Sequence, residues 1–272
     1  MGETPVTTTL RQPPPGVTIA IPNWNHEYVL PRAIRSALDA VRHLAEYQIP
    51  AEVLVIDDCS RDGSLPLLRQ LEALHHEEGL RVLALPRNND VIFVRNTALS
   101  KATYRYILFM DADNELIGAN VHTFYRAMSE TGAAMVYGNL LYRDRMGDTT
   151  MIINNESFQD RIIDRNYIDT FALYDRVQIS DAGGFADDPK MPSHEDWELV
   201  MHLAAAGRKM VFVPVVLGIY HELDRSRVRD AGEEDVQKMT GHLKRVFDQL
   251  GIREHQPINT RQLRYHPEVG YI

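Results

Sequence analysis

Cysteine is nearly missing from this 272-residue chain: Cys59 stands alone. No disulfide can form within the chain and nothing in it demands an oxidising compartment, which leaves the cytoplasm as the default. A long apolar run is also missing. The longest, residues 210–220, is too short to span a bilayer and carries Pro214, so any membrane contact is expected to be peripheral, at the inner face. The chain begins with Pro13, Pro14 and Pro15 in a stretch without an apolar run, and residues 1–16 read as a flexible arm rather than a signal peptide. Gly2 makes no myristoylation site, because Val6 stands where Ser or Thr is needed. Basic charge is short as well, with 29 Lys and Arg against 38 Asp and Glu and a net charge of −9. Such a surface repels phosphate backbones and argues against non-specific nucleic-acid binding. Neither Gly-x-Gly-x-x-Gly nor a P-loop occurs, which removes the usual dinucleotide and ATP sites.

What is present is a 44% apolar chain of a length that suits one main core with appended elements. Val17, Thr18, Ile19, Ala20 and Ile21 form a β-branched run that ends at Pro22, as a buried strand entering a loop does. Residues 28–44 turn helical, with Pro31 in the first turn and Ile34, Ala37, Leu38, Val41 and Leu44 at helical spacing. Strands follow at 52–56, 81–85 and 106–110, separated by helices at 64–76 and 96–102. This β-α-β alternation predicts an α/β fold with a mostly parallel sheet flanked by helices, where ligands gather at the carboxyl ends of the strands. Further on, a helix is expected at 121–131, strand-like runs at 134–142 and 167–174, a turn at Gly183-Gly184, a helix at 194–206 and a strand at 210–216. Val236, Met239, Leu243, Val246, Phe247 and Leu250 share one face of a C-terminal helix.

Two acidic clusters stand directly after apolar strands. Asp111 and Asp113 follow Ile107-Leu108-Phe109-Met110, and Asp57-Asp58 follow Val53-Leu54-Val55-Ile56. Burial of those strands fixes the acids at a sheet edge, where hard oxygen ligands can meet a cation and a diphosphate. Taken singly, each has a blander reading: Asp-x-Asp as a solvated turn, and Asp57-Asp58 as an Asx-type entry to the next helix, which Asp62-Gly63 also favours. Ser193-x-x-Asp196 likewise spells a capping box for a helix that buries Trp197, Val200, Met201 and Ala204.

Ile21-Pro22-Asn23-Trp24-Asn25, the run from Val55-Ile56-Asp57-Asp58-Cys59-Ser60 to Arg61-Asp62-Gly63, Arg95-Asn96, Phe109-Met110-Asp111-Ala112-Asp113, Gly183-Gly184-Phe185 and Glu195-Asp196 occur in that order. Together, over residues 17–221, they closely resemble family 2 glycosyltransferases. The resemblance implies a single GT-A type, Rossmann-like domain at 17–230, with a nucleotide-binding half at 17–115 and an acceptor half at 116–230, followed by a C-terminal helix and tail at 231–272. It implies nucleoside binding by Pro22, Asn25 and Asp58, with Arg95 near the nucleotide. Asp113 would bind Mg2+ or Mn2+, Asp111 would lie beside it near the donor, and His221 would complete the metal shell. Asp196 matches the family's base, with Glu195 nearby. The implied activity is inverting transfer of one sugar from a nucleotide-diphospho-sugar to the hydroxyl of a glycan, lipid-linked or other acceptor, in cell-surface or exopolysaccharide synthesis. UDP is favoured by family frequency alone.

The sequence departs from the family pattern in places. Cys59 stands where Gly is usual, Asn114 where an acid often follows Asp-x-Asp, and Tyr220-His221-Glu222-Leu223-Asp224-Arg225 where Arg-x-x-His is common. The Gln-x-x-Arg-Trp motif of processive synthases is absent. A catalytically inactive nucleotide-sugar-binding domain of a larger assembly remains the alternative. A nucleotidyltransferase lacks support, because no Gly-rich, Arg- and Lys-bearing segment follows the first strand.

Overall fold

The computed structural model describes residues 13–154, 156, 166–185 and 195–223, together with the backbone of two short paired strands at Tyr265–His266 and Gly270–Tyr271. Ser193, the expected helix at 233–250 and most of the arm at 1–16 lie outside the described residues.

The apolar runs fold as read. Strand β1 spans Val17–Asn23, helix α1 Leu30–Glu46, β2 Ala51–Asp57, α2 Ser64–His75, β3 Leu80–Ala84, α3 Val91–Lys101 and β4 Tyr106–Phe109. The two-residue strand β5 (Glu115–Leu116), α4 (Val121–Thr131), β6 (Met135–Arg143), β7 (Thr149–Ile153), β8 (Leu173–Asp175), α5 (Arg176–Asp181), α6 (Glu195–Ala205) and β9 (Met210–His221) follow. The period of two along each central strand builds two cores. Val17, Ile19 and Ile21 of β1 with Val53 and Val55 of β2 pack on α1, α2 and α4; Ala20, Leu54, Ile56, Ile107 and Phe109 pack on α3 and α6 across the sheet. Each core side chain removed from water on this scale stabilises the fold by about 1.5–3 kcal/mol.

The sheet runs β3-β2-β1-β4-β8-β6-β9-β5, with β7 hydrogen-bonded to β6. Strands β3, β2, β1 and β4 are parallel, as expected from the β-α-β alternation. Beyond β4 the sheet is mixed: β8 is antiparallel to β4 and β6, whereas β9 is parallel to β6. The reversal of order between β1 and β4 makes a topological switch point, and the carboxyl ends of β1, β2 and β4 open onto it.

Three elements differ from their sequence reading. The strand expected at 167–174 shrinks to β8, because side chains claim its backbone donors upstream. Asn154 Oδ1 accepts from Asp169 N at 2.9 Å, and Asp169 Oδ1 accepts from Phe171 N at 2.8 Å, local bonds that compete with a ladder. Pro214 does not end β9. Gly138 pairs with Val213 and Asn139 with Val216, so Pro214 sits in a bulge where its missing N–H costs nothing, and the strand continues to His221. The polar stretch after Arg143 begins with a hairpin, turned by Asp144 Oδ1, which accepts from Met146 N at 2.9 Å and Asp148 N at 3.0 Å.

Candidate active site

The loops after β1 and β2 are laced to each other. Asp57, fully buried, accepts from Asn23 Nδ2 at 2.8 Å, Ser60 Oγ at 2.6 Å and Ser60 N at 3.1 Å. Ser60 Oγ also accepts from Asn25 N at 2.9 Å, and Asn25 Oδ1 accepts from Arg61 N at 2.7 Å. Asn25 and Cys59 both adopt left-handed backbone, with φ of 59° and 58°. Cys59 thus occupies the conformation that explains the family's Gly, at a cost of about 1–2 kcal/mol. Of the two acids after β2, Asp57 secures the loop and Asp58 turns toward the next one. Asp58 accepts from Asn89 N at 2.9 Å on both oxygens and from Asn88 Nδ2 at 3.0 Å. Pro22 is paired within β1 opposite Ile56. Pro22, Asn25 and Asp58 therefore stand around one strand-end opening, with Asn25 and Asp58 already engaged by protein donors.

The second cluster forms around Arg95. Helix α3 carries it under the end of β4, where it is 5% exposed. Its Nη1 donates to Glu195 Oε1 at 2.5 Å and its Nη2 to Asp111 Oδ1 at 3.2 Å, while Phe185 lies against the guanidinium at 5.6 Å. Burial alone would lower the Arg95 pKa; the charges of Asp111, Glu195, Asp196 and Asp169 outweigh it and hold the group above arginine's usual range. Asn96 completes the unit by bonding both sides of Phe185, with Nδ2 donating to its carbonyl at 2.8 Å and Oδ1 accepting its N–H at 3.0 Å. Gly184, at φ +71°, leaves room for this: a Cβ would lie 2.8 Å from Asn96 Oδ1. The motifs Arg95-Asn96, Gly183-Gly184-Phe185 and Glu195-Asp196, scattered in sequence, are one physical assembly.

Asp111 and Asp113 flank a turn closed by Asn114 N donating to Asp111 O at 3.1 Å. Burial first, then the charge of Asp111, pushes the Asp113 carboxyl up to about 7, although Arg32 lies below it and donates from Nη2 to the Asp113 carbonyl at 2.6 Å. Asn114 is almost fully buried and accepts from His221 N at 3.0 Å, tying this turn to the end of β9 with an amide where the family often has an acid. The His221 ring bonds Glu115 Oε1 through Nε2 at 2.6 Å. Pairing of β5 with β9 sets Glu115 beside it. Among the described residues no group of three His, Cys, Asp or Glu is placed to hold a metal ion by itself.

At the N-terminus of α6, Glu195 is buried on Arg95. Asp196 accepts from Asn166 Nδ2 at 3.2 Å and from Trp197 N at 2.7 Å, in a first turn whose dipole favours a carboxylate. The sequence reading missed Asp169, Asn154, Asn166, Arg32, Glu115 and Tyr220, all of which bear on this cleft. Only the Asx turn from Asp169 to Phe171 had a local signal, and it says nothing of the cleft.

Two consequences can be measured. Arg95→Met leaves Glu195 buried without this counter-charge, a loss of about 3–5 kcal/mol, and thermal melting should fall by roughly 10 °C; an unchanged melting temperature would remove Arg95 from its structural place. Asp169 is pushed up to about 7 by burial and by Asp111 and Asp196, with Arg95 opposing. Its carboxyl holds its proton in the folded chain over a range where the unfolded chain has released it. The ligand-free protein therefore carries a stability increment below about pH 4 that is lost as pH rises to about 7. Asp169→Asn should flatten that part of a melting-temperature profile and raise the value at pH 8.

Residues 18–189 match the family model described as Glycosyl transferase family 2. The chain belongs to glycosyltransferase family 2. The chain is 31% identical over 101 residues to the putative teichuronic acid biosynthesis glycosyltransferase TuaG of Bacillus subtilis, covering 37% of each chain. It is 25% identical over 211 residues to glycosyltransferase AglE of Haloferax volcanii, covering 76% of this chain and 67% of the relative. The succinoglycan biosynthesis protein ExoO of Rhizobium meliloti is 29% identical over 126 residues, 46% of this chain and 33% of the relative. The chain spans about a third to a half of the length of curated relatives it matches. Among solved structures, S. aureus TarS 1–349 in complex with UDP-GlcNAc superposes with a TM-score of 0.66 at 16% identity, covering 86% of this chain and 71% of that one. The mannosyltransferase PcManGT from Pyrobaculum calidifontis, in complex with GDP-Man and Mn2+, does so at 0.59 and 17%, covering 90% and 66%. At these identities the structures establish the fold, GT-A. No helix among the described residues is long and apolar enough to cross a membrane.

Proposed function

We propose that this glycosyltransferase moves one sugar from a nucleotide-diphospho-sugar to an acceptor hydroxyl with inversion at the anomeric carbon, and that it needs a divalent cation. The observation that carries this reading is the bridging of two carboxylate sets by one buried guanidinium. Arg95 joins Asp111, beside Asp113 at the end of β4, to Glu195, beside Asp196 at the start of α6. An in-line displacement needs one set for the departing diphosphate and the other for the attacking hydroxyl.

The residues present fit a hard cation. Asp113, itself poorly solvated, lies beside the half-exposed carboxylate of Asp111, as the raised Asp113 pKa of about 7 reflects. Among the described residues the protein ligands are too few for a closed cage, which suits Mg2+ or Mn2+, ions that keep positions for substrate phosphates and water. Asp113 would hold the ion with Asp111 near the donor. His221 could add Nδ1 while Nε2 stays on Glu115, the usual orientation device for a ligating imidazole. When bound, the cation offsets charge that builds on the leaving diphosphate.

Pro22, Asn25 and Asp58 line the opening for the nucleoside, and Arg95 keeps Asp111 in register with α6. Asp196 takes the proton of the acceptor hydroxyl as the oxygen attacks, and Glu195 fixes the helix end that presents it. A UDP-sugar is favoured, supported by family frequency and by the UDP-GlcNAc complex of TarS; the GDP-Man complex of PcManGT keeps GDP-sugars in the panel. Cell-surface or exopolysaccharide acceptors are supported by the names of TuaG and ExoO. The net charge of −9 fits a nucleotide-sugar, not nucleic acid, as partner, and we place the chain in the cytoplasm, in peripheral contact with the inner face of the membrane.

Calorimetric titration with UDP, UDP-GlcNAc, GDP and GDP-Man, first with Mn2+ and then with EDTA, tests the donor site. Binding of one base in Mn2+ that EDTA abolishes is expected. No binding across the panel would favour a degenerate domain of a larger assembly.

A further inference from the structure

Asp169 is a cleft carboxylate to which the transfer chemistry gives no part. Its main chain is pinned by Asn154 Oδ1 at 2.9 Å, and its Oδ1 accepts from Phe171 N at 2.8 Å, with Phe171 set in the core at 1% exposure. Its Oδ2 has no protein donor among the described residues. Asn154 is itself only 4% exposed, adopts left-handed backbone at φ 54°, and has a buried Nδ2 without a hydrogen-bond partner among the described residues. A buried amide donor left unsatisfied costs stability unless a ligand or water meets it. The two unpartnered groups are complementary, one accepting and one donating, and they sit on one latch.

Their location follows from the bonds that anchor this segment. Phe109 N donates to Ala172 O at 3.2 Å in the antiparallel pairing of β4 with β8, which runs the chain before Ala172 back alongside Asp111 at the diphosphate end, and Asn166, three residues before Asp169, donates from Nδ2 to Asp196 Oδ2 at 3.2 Å at the attacking end; Asp169 lies on the chain between these two ties and interacts electrostatically with Asp111, Asp196 and Arg95. Tyr220, stacked on Tyr142 with ring centroids 5.7 Å apart, is raised in pKa by burial and then by Asp169, Asp111 and Asp113. A group that faces both the leaving diphosphate and the acceptor base faces what lies between them, the ring of the transferred sugar. We propose that Asp169 and Asn154 form the subsite that reads the donor sugar, Asp169 Oδ2 accepting from one ring hydroxyl and Asn154 Nδ2 donating to its neighbour. This rests on the proposed donor site. Carboxylate and amide together select a sugar with two adjacent free hydroxyls and disfavour its deoxy analogue.

The test compares the nucleoside diphosphate with the corresponding nucleotide sugar, using UDP with UDP-GlcNAc and GDP with GDP-Man in Mn2+, on wild type and Asp169→Ala. Affinity for the diphosphate should stay within about twofold, while affinity for the nucleotide sugar falls on the order of 10- to 100-fold, the worth of a hydrogen bond to a charged group. Asp169→Asn, nearly isosteric, keeps the Phe171 contact and should show the same split if the alanine variant does not fold. Unchanged sugar affinity, or an equal fall for diphosphate and sugar, overturns the subsite while leaving the donor site standing. Failure of wild type to bind any of the four ligands overturns both.

Discussion

Asp196→Asn should bind the nucleotide sugar as tightly as wild type and turn it over roughly a hundred- to ten-thousand-fold more slowly, the range that a positioned general base supplies. The amide keeps the volume of the carboxylate and one oxygen, which can still accept from Trp197 N as Asp196 Oδ1 does at 2.7 Å; only the longer bond that Oδ2 accepts from Asn166 Nδ2, at 3.2 Å, is given up. Helix α6 should therefore start where it does now, and Glu195 should remain on Arg95. What is lost is an atom able to take the acceptor proton. Single-turnover kinetics with saturating donor and acceptor separate this from a binding defect. A near-normal rate would move the base elsewhere in the cleft, and an equal loss of donor affinity would make Asp196 a binding residue.

Asp113→Asn should show the reverse pattern, with donor binding lost along with turnover. If the ion offsets several kcal/mol of charge on the leaving diphosphate, the rate falls on the order of a thousand-fold or more. Added Mn2+ should recover little of it. The ligand-free variant should melt no lower than wild type, because the substitution relieves the crowding between Asp111 and a carboxyl that burial already pushes up to about 7. A variant that is inactive, binds donor normally in Mn2+ and melts lower would make Asp113 a scaffold residue rather than a ligand.

Much of this cleft was legible in the sequence for a simple reason. The runs Val17 to Ile21, Val53 to Ile56 and Ile107 to Met110 are apolar enough to be strands and are interrupted by acids, so burial of the one fixes the other at a sheet edge. The helix that presents Glu195 and Asp196 was likewise visible, although Ser193 of its capping box falls outside the described residues. Roles within each pair were not legible. Nothing local distinguishes Asp57, which the loops consume, from Asp58, which turns outward to Asn88 and Asn89.

Long-range ties were hidden for the same reason. Asn114 meets the main chain of His221 across the molecule, and Asn154 meets that of Asp169; each is a polar residue in a loop-like stretch, where sequence pattern predicts solvent. The reading of 167–174 as strand followed its apolar residues, and it gave way because Asn154 and Asp169 satisfy the backbone donors first. The strand expected at 210–216 runs on to His221, because β9 takes up Pro214 in a bulge and its pairing with β6 resumes at Val216.

The account places Asp113 and Asp196 at opposite ends of one displacement, and the stereochemistry of the product tests that arrangement most directly. The anomeric configuration of the transferred sugar can be read by proton NMR from its one-bond and vicinal couplings, with any acceptor hydroxyl that takes it. An α-linked nucleotide sugar should give a β-linked product. An α-linked product would contradict attack from the side opposite the diphosphate, and with it the division of the cleft between a leaving-group end and a base.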